Sequence, residues 1–227
     1  MSAMIASAIF NKKRLSLPEF FEQFIAGIKN TSFLEFIAVV TGIVSVWFSK
    51  KENILVYPIG LVNTIIYIYL STNAHLYGEA SVNLYYTIMS IYGWILWMKK
   101  DQSLQHVLII RHSTLKEWLM HLLFFSIFYV VIYIALKELQ KNFAPGAIPW
   151  ADAFASATAF TGMWLMARKK VESWIWWILT NIASIPLYFV KGYVFTSVYY
   201  LVLLIIAFAG LAEWNARAKK NKLMYAN

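Results

Sequence analysis

The chain has 227 residues, of which 60% are hydrophobic and 14% charged, with a mean hydropathy of +0.59. A soluble domain carries roughly 25% charged residues, so this chain lacks the polar surface to cover a particle in water, and lipid is the solvent its composition fits. Zero Cys excludes disulfide scaffolds, zinc–thiolate sites, iron–sulfur clusters and thiol catalysis, and the net charge of +9 leaves two readings: a nucleic-acid surface, or loops held at the anionic cytoplasmic face of a membrane.

Residues 1–30 form an N-terminal segment. No uninterrupted apolar stretch or small-residue cleavage pattern follows Lys12-Lys13-Arg14, which speaks against a cleaved signal peptide. Leu15 to Asn30 sets Glu19, Glu22 and Lys29 among Phe20, Phe21, Phe24 and Ile25. It is too short and too charged to cross a bilayer and predicts an amphipathic surface helix.

A helix rising ~1.5 Å per residue needs about 20 apolar residues to cross ~30 Å of hydrocarbon. Seven windows meet that need, at roughly 31–49, 53–72, 79–98, 117–136, 150–167, 174–190 and 193–214. Their acids, Glu35, Glu79, Glu117, Asp152 and Glu213, lie at window ends, within reach of headgroups and water. The predicted class is an all-α polytopic membrane protein. Residues 31–100 form a first three-helix unit, 101–149 a loop and linker span, 150–214 a second three-helix unit, and 215–227 a basic tail.

Successive loops hold 2, 0, 4, 2, 3 and 1 Lys or Arg, with 4 more in the C-terminal tail and 4 before the first window. The odd loops plus the tail total 13 and the even loops 3, which places the C-terminus in the cytoplasm. Seven crossings then put the N-terminus outside, against the preference of Lys12, Lys13, Arg14 and Lys29. Because charge alternates with membrane side and forms no continuous stripe, nucleic acid is not an expected partner.

Self-comparison at a spacing near 117 pairs Trp47 with Trp164, Gly93 with Gly210 and Trp97 with Trp214. The basic turns Lys50-Lys51-Glu52 and Arg168-Lys169-Lys170-Val171-Glu172 also correspond, with a small insertion expected to bring Asn63 opposite Asn181. A 3+1+3 plan follows. Three spans are an odd number, so the linker span restores orientation and makes the units parallel repeats, as in SWEET-type transporters, with a solute site between them near the midplane.

Asn63 and Asn181 fall near span centres, where an amide without a partner costs several kcal/mol. Interhelical bonding is the structural explanation and a solute pocket the functional one. On helical faces, Trp174, Trp177 and Asn181 align, as do Gly60, Asn63 and Tyr67, and as do Asn83, Tyr86, Ser90, Gly93, Trp94 and Trp97. Trp97 and Trp174 stand at span ends, where an interfacial aromatic belt explains them as well as substrate contact does. Aromatic faces accept a flat ring, more strongly a cationic one, and amides serve hydroxyls or a carboxamide, so an aromatic glycoside fits and so does a sugar.

Pro58 and Pro186 lie inside windows and are expected to loosen their helices. Ala151, Ala155, Ala159 and Gly162 read as a close-packing seam within the chain or between subunits, and Asp152 as a helix cap or a partner for a basic loop. His75, His106, His112 and His121 lack metal-ligand spacing and are expected to be solvated. No enzyme motif, metal site or cofactor site is found, and with no acid or His at depth, uniport is the simplest mechanism. A membrane-integral ligand-binding or sensory component is the second reading.

The runs Tyr92-Gly93-Trp94-Ile95-Leu96-Trp97, Arg168-Lys169-Lys170-Val171-Glu172-Ser173-Trp174 through Trp177 to Asn181, and Gly60-Leu61-Val62-Asn63 resemble those of PnuC-type nicotinamide riboside transporters. The likeness spans residues 31–220, including Asp152 after Pro149-Trp150, and leaves the first 30 residues uncovered. It implies a SWEET-like fold, a homotrimer in the bacterial inner membrane, and uptake of nicotinamide riboside by facilitated diffusion. A cytoplasmic kinase would trap the product without needing direct contact and feed pyridine nucleotide biosynthesis. It also implies a pocket near Asn63, Asn83, Trp94, Trp177 and Asn181, with Asn83 standing where relatives carry Gln and Ser173 where they carry Asn. Relatives in the superfamily move thiamine or riboflavin.

Overall fold

The computed structural model describes residues 17–74, 77–100, 107–140 and 146–224; His75, His106 and the Lys12-Lys13-Arg14 run lie outside the described residues. The described chain is all-helical: α1 (Leu17–Asn30), α2 (Phe33–Lys50), α3 (Val56–Asn73), α4 (Tyr77–Met98), α5 (Leu115–Leu139), α6 (Pro149–Ala167), α7 (Ser173–Val190) and α8 (Val194–Met224). Each apolar window falls on one helix. Four of them, α2, α5, α7 and α8, are long and apolar enough to cross a membrane by length and composition alone. Polar and aromatic residues such as Asn63, Tyr67, Asn83 and Tyr86 dilute α3 and α4, and Ser and Thr dilute α6.

Start signals are local. Ser32 accepts a bond from the Glu35 N–H to open α2, and Thr114 and Glu117 form a reciprocal capping box at α5. Pro149 stands first in α6, where its missing N–H costs nothing, and Pro58 lies in the first turn of α3 for the same reason; Pro186 alone is interior to its helix. Asp152 accepts from the Ile148 N–H at 2.6 Å and pairs with Lys191 Nζ at 2.6 Å, so it serves as both cap and ion-pair partner.

Helix packing runs α2 on α3, α3 on α4, α4 on α6, α6 on α7, α7 on α8 and α8 back on α2, a closed ring of six. Outside it, α5 packs on α6, and α1 lies along the start of α8. Phe24 meets Phe195 there, and Gly27 lets the backbones close up. Of the expected seam of Ala151, Ala155, Ala159 and Gly162, the last three are buried inside the chain and Ala151 is half-buried.

One register recurs. Glu52 (φ 56°) and Lys169 (φ 53°), 117 positions apart, are the non-glycine residues in the left-handed region among those described. Around them, Glu52 N–H bonds Ser49 O as Lys169 N–H bonds Met166 O, and Asn53 N–H bonds Phe48 O as Lys170 N–H bonds Leu165 O. α3 and α7 then begin and end at that same spacing, each with 18 residues. The insertion expected in the basic turn is therefore absent. Asn63 is the eighth residue of α3 and Asn181 the ninth of α7, so the two amides point about 100° apart around their helices, and Thr180 takes the place matching Asn63.

The same spacing organises the core. Tyr57 on α3 lies in the hollow of Gly93 and meets Trp97 edge-on at 5.1 Å and 86°; Trp174 on α7 lies in the hollow of Gly210 and meets Trp214 edge-on at 5.7 Å and 85°. Trp97 and Trp214 then touch at 6.2 Å, joining the two triplets of helices. A Cβ on Gly210 would stand 2.6 Å from three atoms of a fully buried indole, so Gly210→Ala is expected to cost about 1–3 kcal/mol despite alanine's better helix propensity. The unfolding midpoint in detergent measures it; a midpoint at or above that of the parent would show that Trp174 is not locked.

The basic end is closed. Lys169 Nζ bonds Glu52 Oε1 at 2.7 Å, Arg217 bonds Glu52 Oε2 at 3.0 Å, Ser49 Oγ reaches Met166 Sδ, and the Trp214 indole N–H donates to the Ser49 and Lys50 carbonyls. The segment before α5 lies over this end through paired backbone bonds between Arg111 and the Lys169–Val171 turn. Burial opposes ionisation of Glu172, yet bonds from Ser113 Oγ, the Ser113 N–H and His112 outweigh it and hold its carboxyl below the ordinary range. His112 is exposed, as expected, but His121 is a correction. Only 2% exposed, it packs between Trp118 and Trp164, because α5 turns that face toward α6.

Candidate functional site

Two of the aromatic candidates meet directly. Gly162 on α6 offers no side chain, so the Trp177 indole lies against its backbone, with Nε1, Cδ1 and Cδ2 3.2–3.3 Å from where a Cβ would stand. From that seat Trp177 reaches across to Tyr86 on α4, ring centres 6.2 Å apart at 45°. Tyr86 is braced edge-on by Phe160, which Tyr85 stacks at 4.0 Å while its hydroxyl donates to the Phe160 carbonyl. Trp177 and Trp94 are half-buried against the aromatic core, leaving part of each ring open.

Asn181 stands one turn beyond Trp177. It is 2% exposed, and its Oδ1 has no hydrogen-bond partner. Leaving a buried acceptor unmet costs ~1–3 kcal/mol, which sets this oxygen apart from the satisfied amide of Asn63. Asn63 differs: its Nδ2 donates to the Ala38 carbonyl at 2.6 Å, the interhelical role, beside Gly42, whose missing side chain also admits the Tyr199 hydroxyl. Nothing in the apolar run of α8 marked Tyr199 as a neighbour of Asn63.

Asn83 and Tyr67 sit toward the end opposite the basic turns. The Asn83 amide donates to the Glu79 carbonyl of its own helix, and Tyr67 lies near Tyr200, Glu35 and Glu79. Trp97 and Trp174 are 3% and 1% exposed within the core that joins the two triplets, and neither indole N–H has a partner. The structure thus brings together Trp177, Tyr86 and, one turn on, Asn181, and seats Trp97 with Trp174 around Trp214. No group of three or more His, Cys, Asp or Glu placed to hold a metal occurs among the described residues.

The chain is similar to several known proteins. The protein "Nicotinamide riboside transporter PnuC" of Escherichia coli (strain K12) is 24% identical over 215 residues, covering 86% of this chain and 90% of its own. The same-named protein of Neisseria mucosa is 29% identical over 168 residues, covering 71% of this chain and 62% of its own. The "Riboflavin/roseoflavin transporter RibM" of Streptomyces davaonensis is 21% identical over 183 residues, covering 80% and 84%. The crystal structure of the vitamin B3 transporter PnuC superposes with a TM-score of 0.69 at 25% identity over 88% of each chain. A family model described as "Nicotinamide mononucleotide transporter" matches residues 32–216, from the cap of α2 to the last turns of α8, leaving only α1 and the ends outside it. On that match, this all-helical chain belongs to the nicotinamide mononucleotide transporter family of integral membrane proteins.

Proposed function

We propose that the protein carries nicotinamide riboside across the bacterial inner membrane by facilitated diffusion, through a site centred on Trp177, Tyr86 and Asn181. The observation that carries this reading is an indole seated on bare backbone, facing a second aromatic ring, one turn from a buried acceptor without a donor. A cationic pyridinium suits the two rings, and a carboxamide N–H or a ribose hydroxyl suits the Asn181 oxygen. Asn63, Asn83 and Tyr67 extend the lining toward the end away from the basic turns, and Trp94, one turn before the end of α4, extends it toward them. Trp97 and Trp174, named earlier as contacts, support it from behind.

Seven crossings in a 3+1+3 plan are supported by the 117-residue register and by the helix ring, in which the first helix of each triplet packs on the last of the other. With the basic turns and tail in the cytoplasm, the Glu52–Lys169 contact closes the inner end. The triplets rock about the site, opening each end in turn. A mononucleotide is a poorer cargo than the riboside, because a phosphate dianion needs cations, and the buried Lys169 and Lys170 already face Glu52 and Glu117. Retention inside the cell falls to a kinase, and a homotrimer is the assembly proposed. The riboflavin-transporting relative makes another vitamin the second reading.

Purified protein in vesicles is expected to equilibrate labelled nicotinamide riboside without any ion gradient and to ignore excess mononucleotide. Accumulation that appears only with an imposed proton or sodium gradient would refute uniport, and preferential uptake of riboflavin or thiamine would transfer the site to that vitamin.

A further inference from the structure

Two cavities adjoin at the elbow between α1 and α2, against the first turn of α8. One, of 440 Å³, is lined by Ile28, Thr31, Phe33, Phe36 and Phe195. The other, of 350 Å³, shares Thr31 and Phe195 with the first and adds Gln23, Asn30, Glu35, Tyr193 and Thr196 to its wall. Each is the size of a small-molecule site, ~300–1,000 Å³, and an apolar hollow beside a polar one has the form of an amphiphile. Glu35 is the charged group in the polar hollow. It is half-buried, and its carboxylate forms none of the ion pairs among the described residues.

The elbow also has the depth that a lipid needs. With 14 residues, about 21 Å, α1 is too short to cross hydrocarbon. Phe24 and Gly27 hold it against Phe195, while Leu17, Phe21, Ile25 and Ile28, spaced to share another face, are 48–76% exposed. On an integral membrane protein, such a face belongs at the boundary of headgroups and acyl chains. Phe33 and Phe36, exposed at the start of the span α2, make the apolar hollow continuous with the surface that hydrocarbon covers.

We propose that this elbow binds a phospholipid with an ethanolamine headgroup: an acyl chain lies along Ile28, Phe33, Phe36 and Phe195, and the ammonium donates to Glu35. A primary ammonium brings three N–H donors to the carboxylate, a choline headgroup brings charge without a donor, and an anionic glycerol headgroup is repelled. The bound lipid fastens α1 to α8. This site lies beyond the transport reading and does not depend on it.

The test adds dioleoyl phosphatidylethanolamine, phosphatidylcholine or phosphatidylglycerol to the full chain in detergent micelles and records the unfolding midpoint. Phosphatidylethanolamine is expected to raise it by about 2–4 °C, and the other two by less than half as much. Glu35→Gln should level the three headgroups, and Ile28→Ser should shrink the shift with all of them. Equal shifts in the parent, no shift, or an ethanolamine preference that survives in folded Glu35→Gln protein overturns the site. If Glu35→Gln does not fold, native mass spectrometry of the parent purified from mixed lipid micelles decides: retained phosphatidylethanolamine upholds the site, and no lipid or another headgroup overturns it. Because each readout is lipid-dependent and contains no riboside, failure here leaves the transport reading standing.

Discussion

Glu52→Gln is expected to lower stability by about 3–5 kcal/mol, because it strands a charge already removed from water. The Lys169 side chain is 6% exposed, its ammonium lies 2.7 Å from Glu52 Oε1, and among the described residues its other compensating contact is the face of Trp97, 4.7 Å away. Arg217 loses its Glu52 contact at the same stroke but keeps Glu213 at 2.9 Å, so the damage centres on Lys169. Backbone geometry supplies an internal control. Position 52 is left-handed, which costs a side-chain-bearing residue ~1–2 kcal/mol, so Glu52→Gly should be milder than Glu52→Gln by about that amount. Unfolding in detergent measures both. A Glu52→Gln protein within ~0.5 kcal/mol of the parent would show that the basic end is not held by this pair. Glu52 and Lys169 belong to different triplets, so under the rocking mechanism proposed above, weakening their contact should favour opening of the basic end.

The sequence marked each helix because window length and interior charge are local properties. Ser32, Thr114 and Pro149, which act on the residues beside them, were start signals of the same local kind that the window search did not use. The roles of Trp97 and Trp174 were harder to read. A tryptophan at the end of a span has the same sequence signature whether it meets headgroups or a facing helix, and only the Gly210 hollow that seats Trp174, with the Tyr57 and Trp214 rings against Trp97, reveals that these rings pack inward. His121 misled for a related reason: near a helix end a histidine reads as solvated unless the neighbouring helix, carrying Trp164, is known. The two midspan amides invited pairing by residue type. The turn hydrogen bonds show instead that Asn63 and Asn181 occupy successive, not equivalent, positions, which is why one bonds a carbonyl and the other keeps an unmet oxygen. Within the candidate site, Trp177 and Tyr86 were legible as members of polar–aromatic stripes. Their seat on Gly162 was not, since a small-residue seam does not say which ring will fill it.

Trp177→Ala is the variant expected to damage ligand binding most, by about 1–3 kcal/mol, or roughly 5- to 150-fold in affinity. The argument rests on position more than on ring type. Trp177 packs on backbone at Gly162, so its ring is braced from behind, and its half-buried front faces Tyr86 across the meeting of α4 and α6. Trp177→Phe should retain part of the stacking and lose less. Gly162→Ala keeps the indole but drives a methyl to within 3.2–3.3 Å of three of its atoms, so it should weaken binding by tilting the ring rather than removing it. Together the three substitutions separate contact from bulk: a stacking role predicts the order Ala, then Gly162→Ala or Phe, then parent, from weakest to tightest. Riboside affinity by calorimetry, with the unfolding midpoint recorded for each, is the measurement. A folded Trp177→Ala protein with unchanged affinity would remove the indole from the site and leave the Asn181 oxygen to be explained by other means.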